Sequence, residues 1–240
     1  HGGKPGVLHR PGLMQPQLLT LGEGGHRIVV IDDFSGRREA IIAIAAALAP
    51  FPPECATAYP GLRRIITEAD KDAFAYATEI LQTAAPFLGG TWDIDRFDWL
   101  EASFSMVTTP PDALRPFQSA PHYDSPDPGY FALLHYLSDT PGSGTAFYRH
   151  RATGTERVDE ASALRLVNAA TRETQADPQS GYVSGSNAYF EEIAFVEAVP
   201  DRLIIYQGAL LHSGRIPADM AFSDDPRKGR LTGNIFVKGY

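Results

Sequence analysis

The sequence contains very little cysteine and no long apolar run. Its 240 residues include a single cysteine, Cys55, which excludes an internal disulfide and any metal cluster built from several thiolates. The longest apolar run, Ile41 to Ala49, has about nine residues, whereas a helix needs roughly twenty to span a bilayer. The chain starts with a polar segment rich in glycine and proline, without a signal-peptide pattern. We therefore expect a cytoplasmic protein with no membrane partner.

An excess of positive charge is also missing. The chain has 21 Lys and Arg against 29 Asp and Glu, which gives a formal net charge of −8. Because affinity for nucleic acids depends on clustered basic side chains, we expect no nucleic acid as partner. Any metal site must use histidine and carboxylate ligands, and the sequence has only seven histidines. The sequence pattern leaves the oligomeric state unknown.

The first third of the chain predicts an arm, a strand and two helices. Residues 1–26 are rich in glycine and proline and predict an N-terminal arm. The β-branched run 27–32 predicts a strand. Helices are predicted over 36–49 and 68–85, and Pro86 is expected to end the second one.

From residue 97 onwards, short β-branched and aromatic segments alternate with clusters of Pro, Gly, Asp and Ser. This pattern is typical of a sandwich or jelly roll. The predicted strands cover residues 101–108, 129–138, 145–149, 188–199, 202–207 and 231–238. We therefore expect one domain over 27–240, with helical support over 27–96 and a β core over 97–240.

One helical insertion, over 151–187, is expected to interrupt the β core. Within it, residues 159–176 predict a helix, because apolar residues recur there at helical spacing. The predicted apolar face carries Ala161, Leu164, Val167 and Thr171.

Two histidines and one carboxylate form the candidate metal site. His122 and Asp124 are two positions apart, so on a strand their side chains share one face. His212 lies 90 positions after His122 and follows a predicted strand. Such a set leaves three octahedral positions open, as in non-haem Fe(II) oxygenases. A histidine two positions before an aspartate also occurs by chance, and Asp124 with Ser125 and Pro126 can form a turn. The order of the surrounding strands favours the metal site.

These residues and their surroundings resemble the Fe(II)- and 2-oxoglutarate-dependent dioxygenases, in particular the prolyl-4-hydroxylase-like branch and an uncharacterised bacterial group within it. The resemblance covers roughly residues 27–238. It is carried by HYD at 122–124, LHYLSD at 134–139, GSGTAF at 142–147 and the segment 201–214. It implies an α+β fold: a double-stranded β-helix (jelly-roll, cupin-like) core with N-terminal supporting helices and one helical insertion.

The resemblance also implies an oxidoreductase, a hydroxylase that uses Fe(II), 2-oxoglutarate as co-substrate and O2, and releases succinate and CO2. The expected substrate is an amino acid, a peptide or another small molecule. His122, Asp124 and His212 would be the catalytic metal ligands. Arg230 would bind the distal carboxylate of 2-oxoglutarate through its bidentate guanidinium, assisted by Thr232 two positions later.

The sequence departs from the pattern of the branch in two respects. The tyrosine that often precedes the metal motif and contacts 2-oxoglutarate is missing, since residues 105–120 contain none. The basic residue comes later than usual after His212; Arg215 is the second candidate, and Arg227 with Lys228 is the third.

Two other functions stay open. One is a cupin-like metal enzyme that does not use 2-oxoglutarate, and the other is a catalytically inactive binding module on the same fold. Three further residues have a preferred structural interpretation. His135 is expected in the core, His150 is expected at a strand end facing solvent, and Arg63 in a predicted turn is a less favoured candidate for a substrate carboxylate.

Overall fold

The computed structural model describes residues 14–53 and 59–240, so Cys55 and the first part of the predicted arm lie outside the described residues. The described strands are β1 Gln15–Leu21, β2 His26–Asp32, β3 Gly61–Ile65, β4 Phe97–Val107, β5 Tyr130–Tyr136, β6 Gly144–His150, β7 Phe190–Glu197, β8 Leu203–Gln207, β9 His212–Arg215 and β10 Arg230–Gly239. The described helices are α1 Arg38–Ala47, α2 Lys71–Trp92 and α3 Glu160–Ala176.

Two antiparallel sheets form the β core. The larger sheet has seven strands in the order β1-β2-β8-β5-β10-β4-β3, and the smaller has three in the order β7-β6-β9. Phe147 and Val196 of the smaller sheet pack with Ile204 and Tyr206 of the larger one in a shared apolar cluster. This arrangement confirms the jelly-roll core that the turn-punctuated segments predict.

The two N-terminal helices cover the other face of the larger sheet. Ile41 and Ala45 of α1, together with Ile80 of α2, lie in one buried cluster with Phe104 of β4 and Ile235 of β10. Because side chains alternate along a strand, the neighbours of Phe104, Ser103 and Ser105, point to the opposite face of the sheet. The larger sheet therefore has one face buried under helices and one directed towards the smaller sheet.

The prediction that Pro86 ends α2 is wrong, because the helix continues to Trp92. Proline inside a helix costs about 3 kcal/mol through a lost hydrogen bond and a steric clash. The following turn buries Leu88 and packs Trp92 on Phe131 at 5.0 Å between ring centroids, which is worth about 1.5–3 kcal/mol for each large side chain. The helix ends instead at Asp93, which adopts a left-handed conformation with φ of 57°.

The predicted N-terminal arm, residues 1–26, is wrong over Gln15–Leu21. These residues form β1, which pairs along its full length with β2 at the edge of the larger sheet. The turn between the two strands is fixed by Glu156, whose carboxylate accepts hydrogen bonds from the backbone of Glu23 and Gly24. The division of the chain into one domain with an insertion at 151–187 stays a prediction.

The insertion helix α3 lies where it was predicted, but its predicted apolar face is wrong. Leu164 and Val167 are 70% and 47% exposed, whereas Leu166 is buried. Leu166 packs against Tyr148 and Phe190 in a buried cluster, and Glu173, two turns later on the same face, accepts a hydrogen bond from Nε2 of His150 at 2.8 Å. His150 is fully buried, so its predicted exposure is also wrong.

The described helices include none that is both long and apolar enough to cross a membrane.

A buried polar network joins the helices to the β core. His135 lies in the core, as predicted, and its Nε2–H donates to Asp201 at 2.9 Å while its Nδ1 accepts from the Tyr76 hydroxyl at 3.0 Å. The Asp201 carboxylate also accepts from the backbone amides of Ser35 and Gly36, just before α1. One carboxylate therefore connects strand β5, helix α2 and the start of α1.

We expect that Asp201→Ala lowers the free energy of unfolding by about 3–5 kcal/mol, because it leaves buried donors without an acceptor. Asp201→Asn should cost less, since the amide keeps an acceptor and asparagine tolerates the φ of 64° at this position. Urea unfolding followed by circular dichroism measures both. The exposed Glu68→Ala is the control, with a change within about 0.5 kcal/mol. An Asp201→Ala protein as stable as this control would contradict the assigned role.

Candidate metal centre and its cavity

A cavity of about 600 Å³ contains the candidate metal ligands in its wall. His122, Asp124 and His212 each offer one ligand atom, and these three atoms lie within 4.8 Å of one another. Nε2 of His122 is 3.9 Å from one carboxylate oxygen of Asp124, and Nε2 of His212 is 3.7 Å from the other. The structure thus brings together the three residues that the sequence predicts.

Backbone hydrogen bonds, rather than a regular strand, position the first two ligands. His122 and His212 exchange two backbone bonds of 2.9 and 2.8 Å in an isolated antiparallel bridge, and the amide of Asp124 donates to the carbonyl of Gly208. The expectation that His122 and Asp124 lie on a strand is therefore wrong, whereas His212 follows strand β8, as predicted. His212 begins β9, and the segment around His122 lies along it.

Gly208 makes this close approach possible. A Cβ atom at this position would lie 2.6 Å from the ring of Tyr130 and 3.1 Å from the Cβ of Asp124. Both contacts are shorter than ordinary van der Waals separations, so any larger residue would displace the carboxylate ligand or the tyrosine.

The hydrogen bonding of His212 leaves the correct nitrogen available for a metal. Its Nδ1–H donates to the carbonyl of Leu210 at 2.8 Å, so Nε2, which faces Asp124, carries the lone pair. Metal-ligating histidines usually have such a second partner, which fixes the ring and its tautomer. The aromatic rings of Tyr206 and Phe147 lie at 5.0 and 6.3 Å from the His212 ring and pack around it.

The surroundings of both histidines lower the pKa of their imidazoles. Burial lowers the pKa of His212 to about 4, and the hydrogen bond to Leu210 opposes this shift. For His122, burial is the main cause of the shift of the pKa to about 4, assisted by His212 and opposed by Asp124. The exposed part of the His122 side chain lines the cavity. Burial raises the pKa of Asp124, while the charges of His122 and Arg63 lower it. Two neutral imidazoles and one carboxyl group match the ligand set of an open Fe(II) site.

A buried cation lies in the wall of the same cavity. Arg230 is 6% exposed, and its guanidinium donates to the hydroxyl of Ser143 and the carbonyl of Gly144. Across residues 14–53 and 59–240, no carboxylate lies within ion-pair distance of Arg230. Because a buried charge is costly without a counter-charge, this end of the cavity is built for an anion.

Polar side chains surround Arg230 in one row of the larger sheet. Thr232 of β10 pairs directly with Ser105 of β4, so both side chains lie on the cavity face. The Ser105 hydroxyl is buried and has no hydrogen-bond partner in the part of the chain that is described. Burial raises the pKa of Tyr59 to about 12, and the charges of Arg230 and Arg63 and a hydrogen bond with Thr232 oppose this rise. These groups fit a carboxylate.

Sequence reasoning predicted Arg230 and Thr232 but missed Ser105 and Tyr59. Ser105 could have been found, because β4 was predicted and alternation places Ser105 on one of its two faces. No sequence signal indicates Tyr59, which comes just before β3 and reaches the cavity from the sheet edge. The second-ranked cation, Arg215, forms an ion pair with Glu192 and does not line the cavity.

Comparisons with known proteins agree with this architecture. A sequence profile of one family, described as a family of unknown function (DUF6445), matches residues 13–237. No curated protein matches the chain in sequence. HygX from Streptomyces hygroscopicus, solved with nickel and 2-oxoglutarate bound, is 16% identical with a TM-score of 0.52, and the match covers 88% of this chain and 82% of HygX.

Two further solved structures are similar. SnoN, a non-heme alpha ketoglutarate dependent epimerase from nogalamycin biosynthesis, is 12% identical with a TM-score of 0.50, covering 85% of this chain and 74% of SnoN. A prolyl-4-hydroxylase from Pseudomonas putida is 15% identical with a TM-score of 0.47, covering 90% and 95%. At these identities the likeness to HygX and SnoN concerns the fold, and it confirms the predicted jelly roll.

Because both histidines have a pKa near 4, we expect metal affinity to persist in mildly acidic solution. The affinity for Ni²⁺ should change by less than about threefold from pH 7.5 to 5.5 and fall below about pH 5, where protons compete. Two histidines of ordinary pKa, near 6.5, would lose about 100-fold by pH 5.5. Isothermal titration calorimetry at several pH values measures this, and a loss of tenfold or more by pH 5.5 would contradict the burial argument.

Proposed function

The chain belongs to the family of unknown function DUF6445, and we propose that this member is a non-haem Fe(II)- and 2-oxoglutarate-dependent dioxygenase. It hydroxylates an amino acid, a peptide or another small metabolite and releases succinate and CO2. Its metal ligands are His122, Asp124 and His212, and its co-substrate is bound by Arg230 and Thr232.

The observation that carries the proposal is the buried guanidinium of Arg230 in the cavity of the metal ligands. A metal site alone requires no such cation, and neither does a cupin-like enzyme without an oxoacid. A 2-oxo dicarboxylate supplies a carboxylate for Arg230, which has no acid partner among the described residues, and an oxoacid end for the open metal positions. The unsatisfied hydroxyl of Ser105 beside Thr232 supports the same ligand.

The donor set fits Fe(II), which prefers imidazole and carboxylate ligands in this facial arrangement. When bound with 2-oxoglutarate and O2, the iron supplies the oxidising chemistry: the oxoacid is converted to succinate and CO2, and one oxygen atom of O2 enters a C–H bond of the substrate.

The residues of the chain bind, orient and shield. Asp124 contributes one negative charge to a divalent metal, and the carbonyl of Leu210 holds the His212 ring in its ligating orientation. Arg230 and Thr232 fix the distal carboxylate, with the hydroxyls of Ser105 and Tyr59 close to them. Such fixed donors orient the co-substrate before the reaction, which lowers the entropic part of the barrier.

The proposal is tested by titrating Fe(II) and 2-oxoglutarate into the protein without oxygen. We expect a visible charge-transfer band that requires both components and is absent in His122→Ala. His26→Gln, which changes a histidine outside the cavity wall, should keep the band. In air, the same protein should release succinate from 2-oxoglutarate. If the band is absent from the unchanged protein, the chain is a binding module or an enzyme of another type.

Arg230→Gln should weaken 2-oxoglutarate binding by about 10- to 150-fold, which corresponds to the loss of charged hydrogen bonds worth about 1.5–3 kcal/mol. Fe(II) affinity should stay unchanged, because Arg230 is not a ligand. The anaerobic band, titrated with 2-oxoglutarate, measures the dissociation constant.

The matched control is Arg227→Gln, an exposed arginine three positions earlier, which should leave the dissociation constant unchanged. Equal 2-oxoglutarate affinity in Arg230→Gln and the unchanged protein would contradict the assignment of the distal carboxylate to Arg230.

A further inference from the structure

A second arginine lies in the same cavity, and it is paired with an acid. Arg63 of β3 forms an ion pair with Glu101 of β4, and both side chains line the cavity that holds the metal ligands. The guanidinium also donates through Nε to the Ser103 hydroxyl at 3.1 Å. It lies 5.6 Å from the ring centroid of Phe236. The pair is therefore fixed on the cavity face of the sheet.

Strand register explains why this pair lies on the cavity side. Arg63 is directly opposite Ser105, and Glu101 is directly opposite Phe236 of β10. Directly opposite residues share a face, and Glu101 shares the face of Ser105 because the two are four positions apart on one strand. The predicted turn at Arg63 is wrong, since the residue lies in strand β3 at the edge of the sheet.

The pair lies close to the metal ligands, in the accessible part of the cavity wall. The ring of Phe236, 5.6 Å from the Arg63 guanidinium, is also 5.6 Å from the ring of Tyr130, which lies beside Gly208 next to Asp124. The Arg63 side chain is 12% exposed, whereas Glu101 is 37% exposed and therefore more accessible. Leu100 and Phe117, which also line the cavity, are 48% and 51% exposed and offer apolar contact area.

We propose that Arg63 and Glu101 bind the carboxylate and the ammonium group of an α-amino acid, which is the substrate of this enzyme. This assignment rests on the proposed function, since the substrate must lie next to the metal ligands.

Charge balance favours a zwitterion over a singly charged molecule. Arg63 has an acid partner, Glu101, among the described residues, in contrast to Arg230. A ligand carrying only a carboxylate would leave Glu101 facing an added negative charge, and a ligand carrying only an amine would do the same to Arg63. A zwitterion adds no net charge and places each of its charged groups beside the group of opposite charge in the pair.

The size of the cavity agrees with a small substrate. A volume of about 600 Å³ lies within the usual range for small-molecule sites, and 2-oxoglutarate takes part of it. The remaining space accommodates an amino acid whose side chain lies against the apolar residues Leu100 and Phe117.

The experiment measures binding and turnover on the protein loaded with Fe(II) and 2-oxoglutarate. The common amino acids are tested by calorimetry without oxygen, and then for stimulation of succinate release in air. Each amino acid that binds is compared with its methyl ester, which lacks the carboxylate, and with its N-acetyl form, which lacks the ammonium. We expect the free amino acid to bind at least about tenfold more tightly than either form, as expected for the loss of one charged contact.

Two variants assign the contacts separately. Arg63→Gln should reduce the preference over the methyl ester to less than about threefold, and Glu101→Gln should reduce the preference over the N-acetyl form to the same extent. The control is Arg64→Gln, the next residue of β3, whose side chain bonds instead to Asp70. It should keep both preferences. If a single variant does not fold, the double variant Arg63→Gln/Glu101→Gln leaves no unpaired charge and should lose both preferences.

The outcomes separate this assignment from the proposed function. A missing charge-transfer band in the unchanged protein overturns the proposed function itself. A band of normal intensity overturns only the amino-acid assignment if no amino acid binds, if the capped forms bind equally well, or if both variants keep the preferences. A purely structural ion pair would change stability without changing these ratios.

Discussion

The backbone bridge between His122 and His212 is the contact on which the site depends. It joins two segments that are 90 positions apart in sequence, and it continues the pairing of the smaller sheet, because His212 also pairs with Phe147 of β6. The segment around His122 therefore extends the sheet beyond β9 by a single residue pair. Since these bonds come from the backbone, the ligand side chains are positioned by the fold and do not have to organise themselves around a metal.

Alternation of side chains in the larger sheet places the polar side chains of its strands on the cavity face. One face carries Phe104 and Ile235 under the helices, and the other carries Ser105, Thr232 and Glu101. A buried row of polar side chains weakens a core, because it replaces apolar burial with groups that need partners. The sheet tolerates this row because α1 and α2 bury the opposite face, so stability and binding are assigned to different faces of the same strands.

Local patterns were sufficient to predict most strands of the jelly roll, because strand periodicity and turn residues are local properties. The assignment of His122, Asp124, His212 and Arg230 to one site also drew on the family resemblance, and it stays a prediction. Local patterns were insufficient where a distant contact decides: Pro86 stays inside α2 because of packing on Phe131, α3 directs Leu166 and Glu173 towards the core, and β1 exists only as a partner of β2. β3 was missed for the same reason: Gly61–Ile65 has a weak strand pattern, and its pairing with β4 is visible only in three dimensions. Because β3 was not predicted, the position of Arg63 on the cavity face could not be predicted either.

The two cavity arginines, Arg63 and Arg230, differ in their partners, which the net charge of −8 for the whole chain does not show. Within the described residues, Arg230 has hydrogen-bond acceptors but no acid, whereas Arg63 has Glu101. A buried cation without a counter-charge is costly, so the proposed co-substrate would complete the charge balance around Arg230. Arg63 has Glu101 as an acid partner and has no such deficit. The affinity of a ligand for the Arg63–Glu101 pair depends on how the charges of the ligand are arranged. For this reason the pair is suited to select the substrate.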